Sequence, residues 1–384
     1  MKYILRDYQQ DSASAAIEYF KGKSKNNALI VLPTGSGKSL VISEIANNIP
    51  GNTLIFQPSK EILEQNFSKL QSYGVFDCSI YSASFNSKEI SRITFATIGS
   101  VRNNPSIFKH FENIIIDECH LVNSKKGMYK DFLDAVPSKV LGLTATPYRL
   151  STDGFGGSIL KFLTRTRPKV FTDLIYYSQI STLLNRGYLA KVDYYPIKSV
   201  DTDKLVINST GADYTDASVQ NHYKDIGFST QLFSVVNRLI NAKRESILVF
   251  TRFIDEAQDL VDKLNVSSEI VTGKTNKKDR ERILKGFKDG DIKVVANVGV
   301  LTTGFDYPKL NTILLARPTM SLALYYQIVG RGIRPHKDKK SCWLIDMCGV
   351  YDRFGKVEDL ELTSDKPNIW YIKNKDRQLT NVYY

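Results

Sequence analysis

The sequence predicts an α/β protein of two domains, each a parallel sheet flanked by helices. Two observations lead to this prediction. Short apolar runs that fit buried strands alternate with amphipathic stretches that fit helices. This alternation occurs twice, on either side of a less regular region at roughly 150–245. The chain of 384 residues is long enough to hold two such domains.

The individual elements follow from these runs. In the first half, the strand candidates are 28–33, 53–57, 92–97, 113–117 and 139–145, and the helix candidates are 38–49, 59–72 and 127–136. In the second half, the strand candidates are 246–251, 292–298, 311–316 and 341–347, and the helix candidates are 253–264, 276–288 and 321–330. We expect domains at 1–190 and 191–355 and a short tail at 356–384, in which "NIWYIKN" fits one further strand.

Composition narrows the class of protein. Lysine and arginine exceed the acidic residues by 52 to 40, and a net charge of +12 favours a polyanionic partner without identifying it. The four cysteines are Cys78, Cys119, Cys342 and Cys348. None of them forms a C-x-x-C pair, so the pattern predicts no zinc site and no disulfide framework, as in a reducing compartment.

The sequence shows no feature of a membrane protein. No apolar run approaches the roughly 20 residues that a membrane span needs. The N-terminal stretch "MKYILRDYQQD" becomes polar too early for a signal peptide. We therefore expect a cytoplasmic protein.

The stretch "LPTGSGKSL" at 32–40 has the composition of a phosphate-binding loop. An apolar strand precedes it and helical spacing follows it, which is the context that such a loop needs. Its glycines would let backbone N–H groups converge on phosphates. Lys38 would reach the β- and γ-phosphates, and Ser39 would ligate Mg²⁺. Leu32 stands where the general pattern has its first glycine, so a flexible turn remains the alternative for the loop alone.

An acidic pair follows a second buried strand in "NIIIDECH" at 113–120. Ligands bind at the carboxyl ends of strands in open α/β sheets, so Asp117 and Glu118 are well placed for a site. Asp117 would hold Mg²⁺ through water, and Glu118 would orient the attacking water. The alternative is a solvated acidic turn. His120 follows the pair directly, although a single histidine is usually structural.

Four stretches resemble, in order, motifs I, II, III and VI of the superfamily 2 helicases and translocases. They are "PTGSGKS", "DECH", "TATP" at 144–147 and "QIVGRGIR" at 327–334. Within that superfamily, "LGLTATPYRL" and "VLTTGFDYP" look like the RadD-type DNA repair helicases, with UvsW-like phage helicases as near neighbours. We expect neither the cysteine-rich zinc region of the former nor the N-terminal module of the latter.

The resemblance implies two tandem RecA-like domains of the DExH type with ATP bound in the cleft between them. It implies catalytic roles for Lys38, Asp117, Glu118, Gln327, Arg331 and Arg334, the two arginines acting on the γ-phosphate from the second domain. The implied ATP contacts are Arg6, Gln9, Thr34, Gly35, Ser36, Gly37, Lys38, Ser39, Gly304, Asp306, Arg331 and Arg334. Gln9 would hydrogen-bond the adenine edge, and Arg6 or Tyr8 would pack near the base. Ser39 and Asp117 would hold Mg²⁺, and His120, Thr144 and Thr146 would couple hydrolysis to movement.

The same resemblance implies contacts to the nucleic-acid backbone. They are Pro58, Ser59 and Lys60 in motif Ia, Thr97 and Ser100 in motif Ib, Thr251 and Arg252 in motif IV, and Thr302 and Thr303 in motif V. Hydroxyl groups suit phosphates because they bind without reading sequence. The alternative is that these hydroxyls cap helices.

We therefore expect an ATP- and Mg²⁺-dependent DNA helicase or translocase that acts as a monomer in repair, recombination or replication. DNA is favoured over RNA because "DECH" and "QIVGRGIR" differ from the motifs of DEAD-type RNA helicases. Three alternatives stay open: an RNA helicase, the motor subunit of a restriction or remodelling complex, and a nucleotide-switched annealing or binding module.

Overall fold

A computed structural model describes residues 4–152, 158–302 and 304–382. Its first half contains the helices α1 (Asp7–Lys21), α2 (Lys38–Asn48), α3 (Lys60–Ser72), α4 (Ile98–Val101), α5 (Met128–Ala135) and α6 (Ile180–Asn185). The strands of that half are β1 (Ala28–Val31), β2 (Thr53–Phe56), β3 (Cys78–Ser82), β4 (Ser87–Lys88), β5 (Ile93–Ala96), β6 (Asn113–Asp117), β7 (Lys139–Thr144), β8 (Tyr148–Thr152), β9 (Ser158–Phe162) and β10 (Asp173–Tyr177).

Eight of these strands form one sheet in the order β10-β1-β7-β6-β2-β5-β3-β4. Every neighbouring pair is parallel except β3 and β4. The central strands are apolar and fully buried, as in Ile114–Ile116, because helices cover both faces of a parallel sheet. The carboxyl ends of β1, β6 and β7 consequently lie side by side, and the predicted motifs I, II and III follow these three strands.

The second half repeats this arrangement with different strands. Its helices are α7 (Asp216–Asp225), α8 (Phe228–Asn241), α9 (Ile254–Lys263), α10 (Lys277–Asp289), α11 (Leu322–Gly332) and α12 (Val350–Phe354). Its strands are β11 (Lys191–Pro196), β12 (Ile247–Thr251), β13 (Ser268–Thr272), β14 (Val294–Val298), β15 (Thr312–Ala316) and β16 (Ser341–Asp346). They form an all-parallel sheet in the order β11-β16-β15-β12-β14-β13.

The C-terminal segment forms more structure than the single strand that the sequence suggests. The strands β17 (Leu360–Lys366), β18 (Ile369–Asn374) and β19 (Arg377–Gln378) form an antiparallel sheet. This sheet reaches back to the first half of the chain. The side-chain amide of Gln179 donates to the Leu362 carbonyl at 2.7 Å and accepts from the Leu362 N–H at 3.1 Å.

The two halves also meet directly through α11. A side chain at Gly330 would place its Cβ 2.5 Å from Thr34 Cγ2, so only glycine permits this close approach to the loop after β1. Nearby, the Ala190 N–H donates to the Ile333 carbonyl at 2.7 Å. Among the described residues, no helix is both long and apolar enough to cross a bilayer.

Candidate active site between the two domains

The loop between β1 and α2 has the backbone of an anion cradle. Gly35 and Gly37 have φ of 81° and 82°, in the left-handed region that favours glycine. A Cβ at Gly37 would lie 2.5 Å from Gln9 Nε2, so the loop also has no space for a side chain there. Helix α2 begins at Lys38, which places Lys38 and Ser39 in the first turn of the helix. The hydroxyl of Ser36 is buried without a hydrogen-bond partner among the described residues.

The N-terminal segment is bonded to this loop. Gln9 is buried, and its Nε2 donates to the Ser36 carbonyl at 2.7 Å, while its Oε1 accepts from the Arg6 N–H at 2.9 Å. The Tyr8 hydroxyl donates to the same carbonyl at 2.6 Å. The guanidinium of Arg6 lies over the ring of Tyr188 at 4.4 Å. Tyr188 belongs to none of the motifs, so the sequence analysis did not identify it.

The acidic pair meets the lysine of the loop at the end of β6. Lys38 Nζ lies 3.3 Å from Glu118 Oε1. This ion pair, with His120 on the other side, lowers the pKa of Glu118 despite its burial. Burial, and then the charge of Glu118, raises the pKa of Asp117 to about 7. An oxygen-rich pair beside a lysine and a serine is a donor set that fits a phosphate-bound Mg²⁺.

The three predicted coupling residues lie together. His120 Nδ1 is 2.9 Å from Thr144 Oγ1 and 3.0 Å from Thr146 Oγ1. The same nitrogen lies 3.3 Å from Glu118 Oε2. A continuous path of polar contacts therefore joins the acidic pair after β6 to the "TATP" segment after β7.

The second domain contributes two arginines to the opposite wall. Arg331 is 6% exposed, and its Nη1 donates to the Phe305 carbonyl at 2.8 Å. Burial, and then the neighbouring charge of Arg334, lowers the pKa of Arg331 to about 9, so the guanidinium stays protonated at neutral pH. Arg334 forms an ion pair with Asp306.

A single cavity of about 340 Å³ separates these two walls. Its lining from the first domain includes Thr34, Gly35, Gly37, Lys38, Ser39, Asp117 and Glu118. Its lining from the second domain includes Gly304, Asp306, Gln327, Arg331 and Arg334. Residues that lie up to about 300 positions apart in the sequence therefore surround one space.

Two further polar residues line this cavity and were missed by sequence reasoning. Asn66 is buried on α3, and its Nδ2 donates to Asp117 Oδ2 at 3.4 Å. Its neighbour Gln65 donates to the Gly304 carbonyl at 3.4 Å. Its position in the sequence could have indicated this role, because Asn66 is a polar residue on the helix face that Leu63 and Leu70 place in the core.

The candidates in motifs Ia and Ib make internal contacts as well. Ser59 is the N-cap of α3, and its Oγ accepts from the Ile62 N–H at 3.3 Å. Thr97 Oγ1 lies 2.9 Å from Ser100 Oγ, which accepts from the Ala83 N–H at 3.1 Å. Lys60 Nζ lies over the ring of Phe85 at 4.6 Å. Pro58 lines an open depression on this side of the domain. Their contacts to nucleic acid stay predictions.

The candidates in motif IV are turned inward. Thr251 is fully buried, and its hydroxyl donates to the Asn297 carbonyl at 3.3 Å. Arg252 Nη2 donates to the Tyr214 carbonyl at 2.6 Å, and its Nε donates to Asp216 at 2.8 Å. Arg252 therefore holds the loop before α7, and a direct contact to nucleic acid stays a prediction. In motif V, Thr302 is half-buried.

Thr303, the second motif V candidate, lies outside the described residues.

Two family descriptions match the chain in this order. Residues 2–149 match "Type III restriction enzyme, res subunit", and residues 231–336 match "Helicase conserved C-terminal domain". The chain is 26% identical to the putative ATP-dependent helicase IRC3 of Saccharomyces cerevisiae, a match that covers 90% of this chain and 52% of the yeast protein. It is 27% identical to the DNA 3'-5' translocase XPB2 of Sulfurisphaera tokodaii, covering 88% and 80% respectively.

The chain spans 65%, 52% and 63% of three curated relatives, a Lactococcus phage protein and two yeast IRC3 proteins. Among solved structures, it is similar to the DNA-bound type ISP restriction-modification enzyme LlaBIII, with a TM-score of 0.66 and 18% identity. That match covers 91% of this chain and 28% of the enzyme. The prediction of two tandem RecA-like domains with parallel sheets is confirmed.

Proposed function

We propose that this chain, whose two family matches support a superfamily 2 helicase, is an ATP-dependent DNA helicase or translocase. The observation that carries the proposal is the cavity that both domains line. Lys38 and Glu118 face it from the first domain, and Arg331 faces it from the second. A nucleoside triphosphate in this space would contact both domains at its phosphates, so hydrolysis would change how the domains are held together.

The side chains divide the chemistry among them. Lys38 would bind the β- and γ-phosphates, and the backbone of 34–37 would surround them. Ser39 and Asp117 would hold Mg²⁺, which supplies charge neutralisation on the phosphate oxygens when bound. Glu118, kept ionised by its ion pair with Lys38, would orient the attacking water. Arg331 and Arg334 would stabilise the charge that develops on the transferred phosphoryl group.

The path from Glu118 through His120 to Thr144 and Thr146 would couple these events to the nucleic acid. Loss of the γ-phosphate changes the surroundings of Glu118, and the hydrogen bonds of His120 carry that change to the segment after β7. We also propose that the chain is of the DExH type and is related to RadD-type and UvsW-like helicases. We propose further that its two domains meet at about residue 190 and that the second domain ends at about residue 355. A monomeric state, a cytoplasmic location and a role in repair, recombination or replication are further proposals.

A motor subunit of a restriction complex is the second candidate. The match of residues 2–149 to a restriction-enzyme family and the structural likeness to LlaBIII favour it. An RNA helicase has less support, because the similar protein XPB2 of Sulfurisphaera tokodaii is a DNA translocase. Both candidates share the ATP site and differ in the nucleic acid that they act on.

The test is the ATPase rate of the purified chain with single-stranded DNA, duplex DNA, forked DNA and RNA. We expect stimulation by DNA and a loss of at least about 1000-fold in Lys38→Ala, because that variant removes the charge that binds the phosphates. Lys21→Ala, an exposed lysine at the end of α1, is the matched control. Equal rates with and without every nucleic acid would refute the motor function, and stimulation by RNA alone would refute the preference for DNA.

A further inference from the structure

A second groove, which we call the basic groove, crosses from the first domain to the second outside the ATP cavity. It has a volume of about 400 Å³. Its lining consists of Asn123, Ser124, Lys125, Arg149, Leu150, Ser151, Thr166, Arg167, Thr210 and Ala212. Three of these residues are cations, four carry hydroxyl groups, and no described lining residue is acidic.

The cations of the basic groove lack acidic partners among the residues that the structure describes. None of Lys125, Arg149 and Arg167 forms an ion pair with a carboxylate of the described residues. Lys125 and Arg167 are exposed. Arg149 is more fixed, because its Nη1 donates to the carbonyls of His120 at 3.1 Å and Leu121 at 2.9 Å. The groove therefore presents positive charge that the described part of the protein does not neutralise.

The wall from the second domain is a turn held by side-chain hydrogen bonds. Asn208 Oδ1 accepts from the Ala212 N–H at 3.0 Å and from the Thr210 hydroxyl at 2.8 Å. The next residue, Asp213, is the nearest acid along the chain, and Arg252 lies 3.7 Å from its carboxylate. Arg252 of motif IV thus neutralises the Asp213 carboxylate. The turn therefore adds polar atoms to the groove without adding negative charge.

The basic groove continues into the surface of motifs Ia and Ib. Asn123 lines both the groove and the neighbouring depression, which Pro58 and Ile98 also line. Leu121 and Met128 are 46% and 40% exposed in the same region. Leucine and methionine are among the apolar side chains that proteins insert between bases, so their exposure beside a positive track is consistent with a bound strand. The two depressions form one path along the protein.

We propose that the basic groove binds the phosphodiester backbone of a nucleic-acid strand that continues from the motif Ia and Ib surface. The proposal rests on the proposed function and extends it by a contact site outside the motifs. Lysine and arginine side chains with hydroxyl groups bind phosphates without reading bases. Because both domains line the groove, a bound strand would contact the first domain at Lys125 and Arg167 and the second at Thr210.

The first test compares two double variants with the same change in charge. Lys125→Ala/Arg167→Ala removes two groove cations, and Lys23→Ala/Lys25→Ala removes two exposed lysines before β1 that line neither the basic groove nor the neighbouring depression. Affinity for labelled single-stranded DNA, duplex DNA and RNA is measured by fluorescence anisotropy over a range of salt concentrations. Thermal unfolding checks that each variant is folded.

We expect the groove variant to lose at least about 10-fold in affinity. The slope of log affinity against log salt concentration should become shallower by about 1.4 on single strands or about 1.8 on duplexes, because each of the two lost phosphate contacts contributes about 0.7 or about 0.9. The control variant should keep the slope of the unmodified chain. Equal slopes in the two double variants would overturn the proposal and leave the proposed function intact. Failure of the unmodified chain to bind any of the three nucleic acids would refute both.

The second test measures contact directly and does not depend on the double variant folding. The photoreactive residue p-benzoylphenylalanine replaces Thr210 in one protein and Ser106, an exposed residue before β6, in another. We expect a labelled oligonucleotide to crosslink at position 210 and not at position 106. Crosslinking at neither position, with binding retained, would place the strand elsewhere and overturn the proposal.

Discussion

The ATP cavity and the motif IV segment, residues 249–257, were identified by the same kind of sequence pattern, yet their side chains face opposite environments. In the cavity, Lys38 and Glu118 meet Arg331 around an open space of about 340 Å³. In motif IV, Thr251, Arg252 and Glu256 are all at least nine-tenths buried. One set of polar residues surrounds a space for a ligand, and the other is enclosed by protein.

The difference teaches what a motif can establish. A buried polar group needs partners, so its role follows from the groups that the fold brings to it. For the cavity residues those partners include the phosphates of a substrate. For Arg252 they are the Tyr214 carbonyl and the carboxylate of Asp216, at the start of α7, a segment that carries no motif. A motif therefore locates a segment, and its surroundings decide what each side chain does.

Gly330→Ala tests the comparison from the cavity side, and its expected effect is larger than those of the substitutions at Glu256 and Ser59. The added Cβ would lie 2.5 Å from Thr34 Cγ2, so α11 must move away from the phosphate loop. We expect the nucleic-acid-stimulated kcat/KM for ATP to fall about 100-fold, because a displacement of about 1 Å misplaces Arg331. The measurement is steady-state ATPase activity.

Gly273→Ala is the matched control, because no heavy atom lies within 4 Å of a Cβ at that position. An activity loss in Gly273→Ala as large as that in Gly330→Ala would show that the effect does not arise from contact between the two domains. Full activity in Gly330→Ala would show that the close approach of α11 to the loop is not needed for hydrolysis.

Glu256→Gln tests the buried polar residues of motif IV through the pH dependence of stability. Burial raises the pKa of Glu256 to about 8, and its Oε2 has no hydrogen-bond partner among the described residues. The folded chain therefore takes up a proton that the unfolded chain lacks between about pH 4.5 and 8, so stability falls as pH rises through this window. We expect Glu256→Gln to raise the free energy of unfolding by about 1–3 kcal/mol at pH 8 and to change it little at pH 4.5.

Chemical denaturation at the two pH values measures this effect. Glu64→Gln, which changes an exposed helical glutamate, serves as the control and should show no such pH dependence. An equal change of stability at both pH values would mean that Glu256 is not a buried acid that protonates on folding.

Ser59→Ala has the smallest expected effect and separates the two readings of motif Ia. The Ser59 hydroxyl caps α3 by accepting from the Ile62 N–H. Loss of such a cap costs about 1 kcal/mol of stability. If capping is its main role, the free energy of unfolding should fall by that amount while the affinity for DNA stays within about 3-fold. Ser59→Asp, which restores a cap, should recover stability, whereas a 10-fold loss of affinity in Ser59→Ala would identify a phosphate contact.

Sequence predicted the central strands and missed the edges of the sheets. Ile114–Ile116 and Leu248–Phe250 are continuous apolar runs buried on both faces, so their composition identifies them. The strands β3 and β13 lie near or at a sheet edge, and "CSIYS" and "SEIVT" mix polar with apolar residues. The strand β17 was missed for the same reason, because a two-sided polar pattern resembles a loop.

The candidate site shows the same division. Lys38, Asp117 and Arg331 were predicted from local patterns, and the structure brings all three to one cavity. Asn66 and Tyr188 were missed because their roles depend on partners from distant segments, Asp117 and Arg6. Local patterns report what a segment can do, and only the fold reports which segments meet.

The central claim is that hydrolysis needs the second domain to reach the triphosphate, and Arg331→Ala tests it most directly. Two quantities are measured: kcat for ATP hydrolysis at saturating DNA, and the affinity for a non-hydrolysable ATP analogue. Arg331→Lys is the control variant that keeps the positive charge. Thermal unfolding confirms that each variant is folded. We predict that kcat falls about 1000-fold in Arg331→Ala while the analogue still binds within about 10-fold of the unmodified affinity. A folded Arg331→Ala protein that hydrolyses ATP at the unmodified rate would contradict the account.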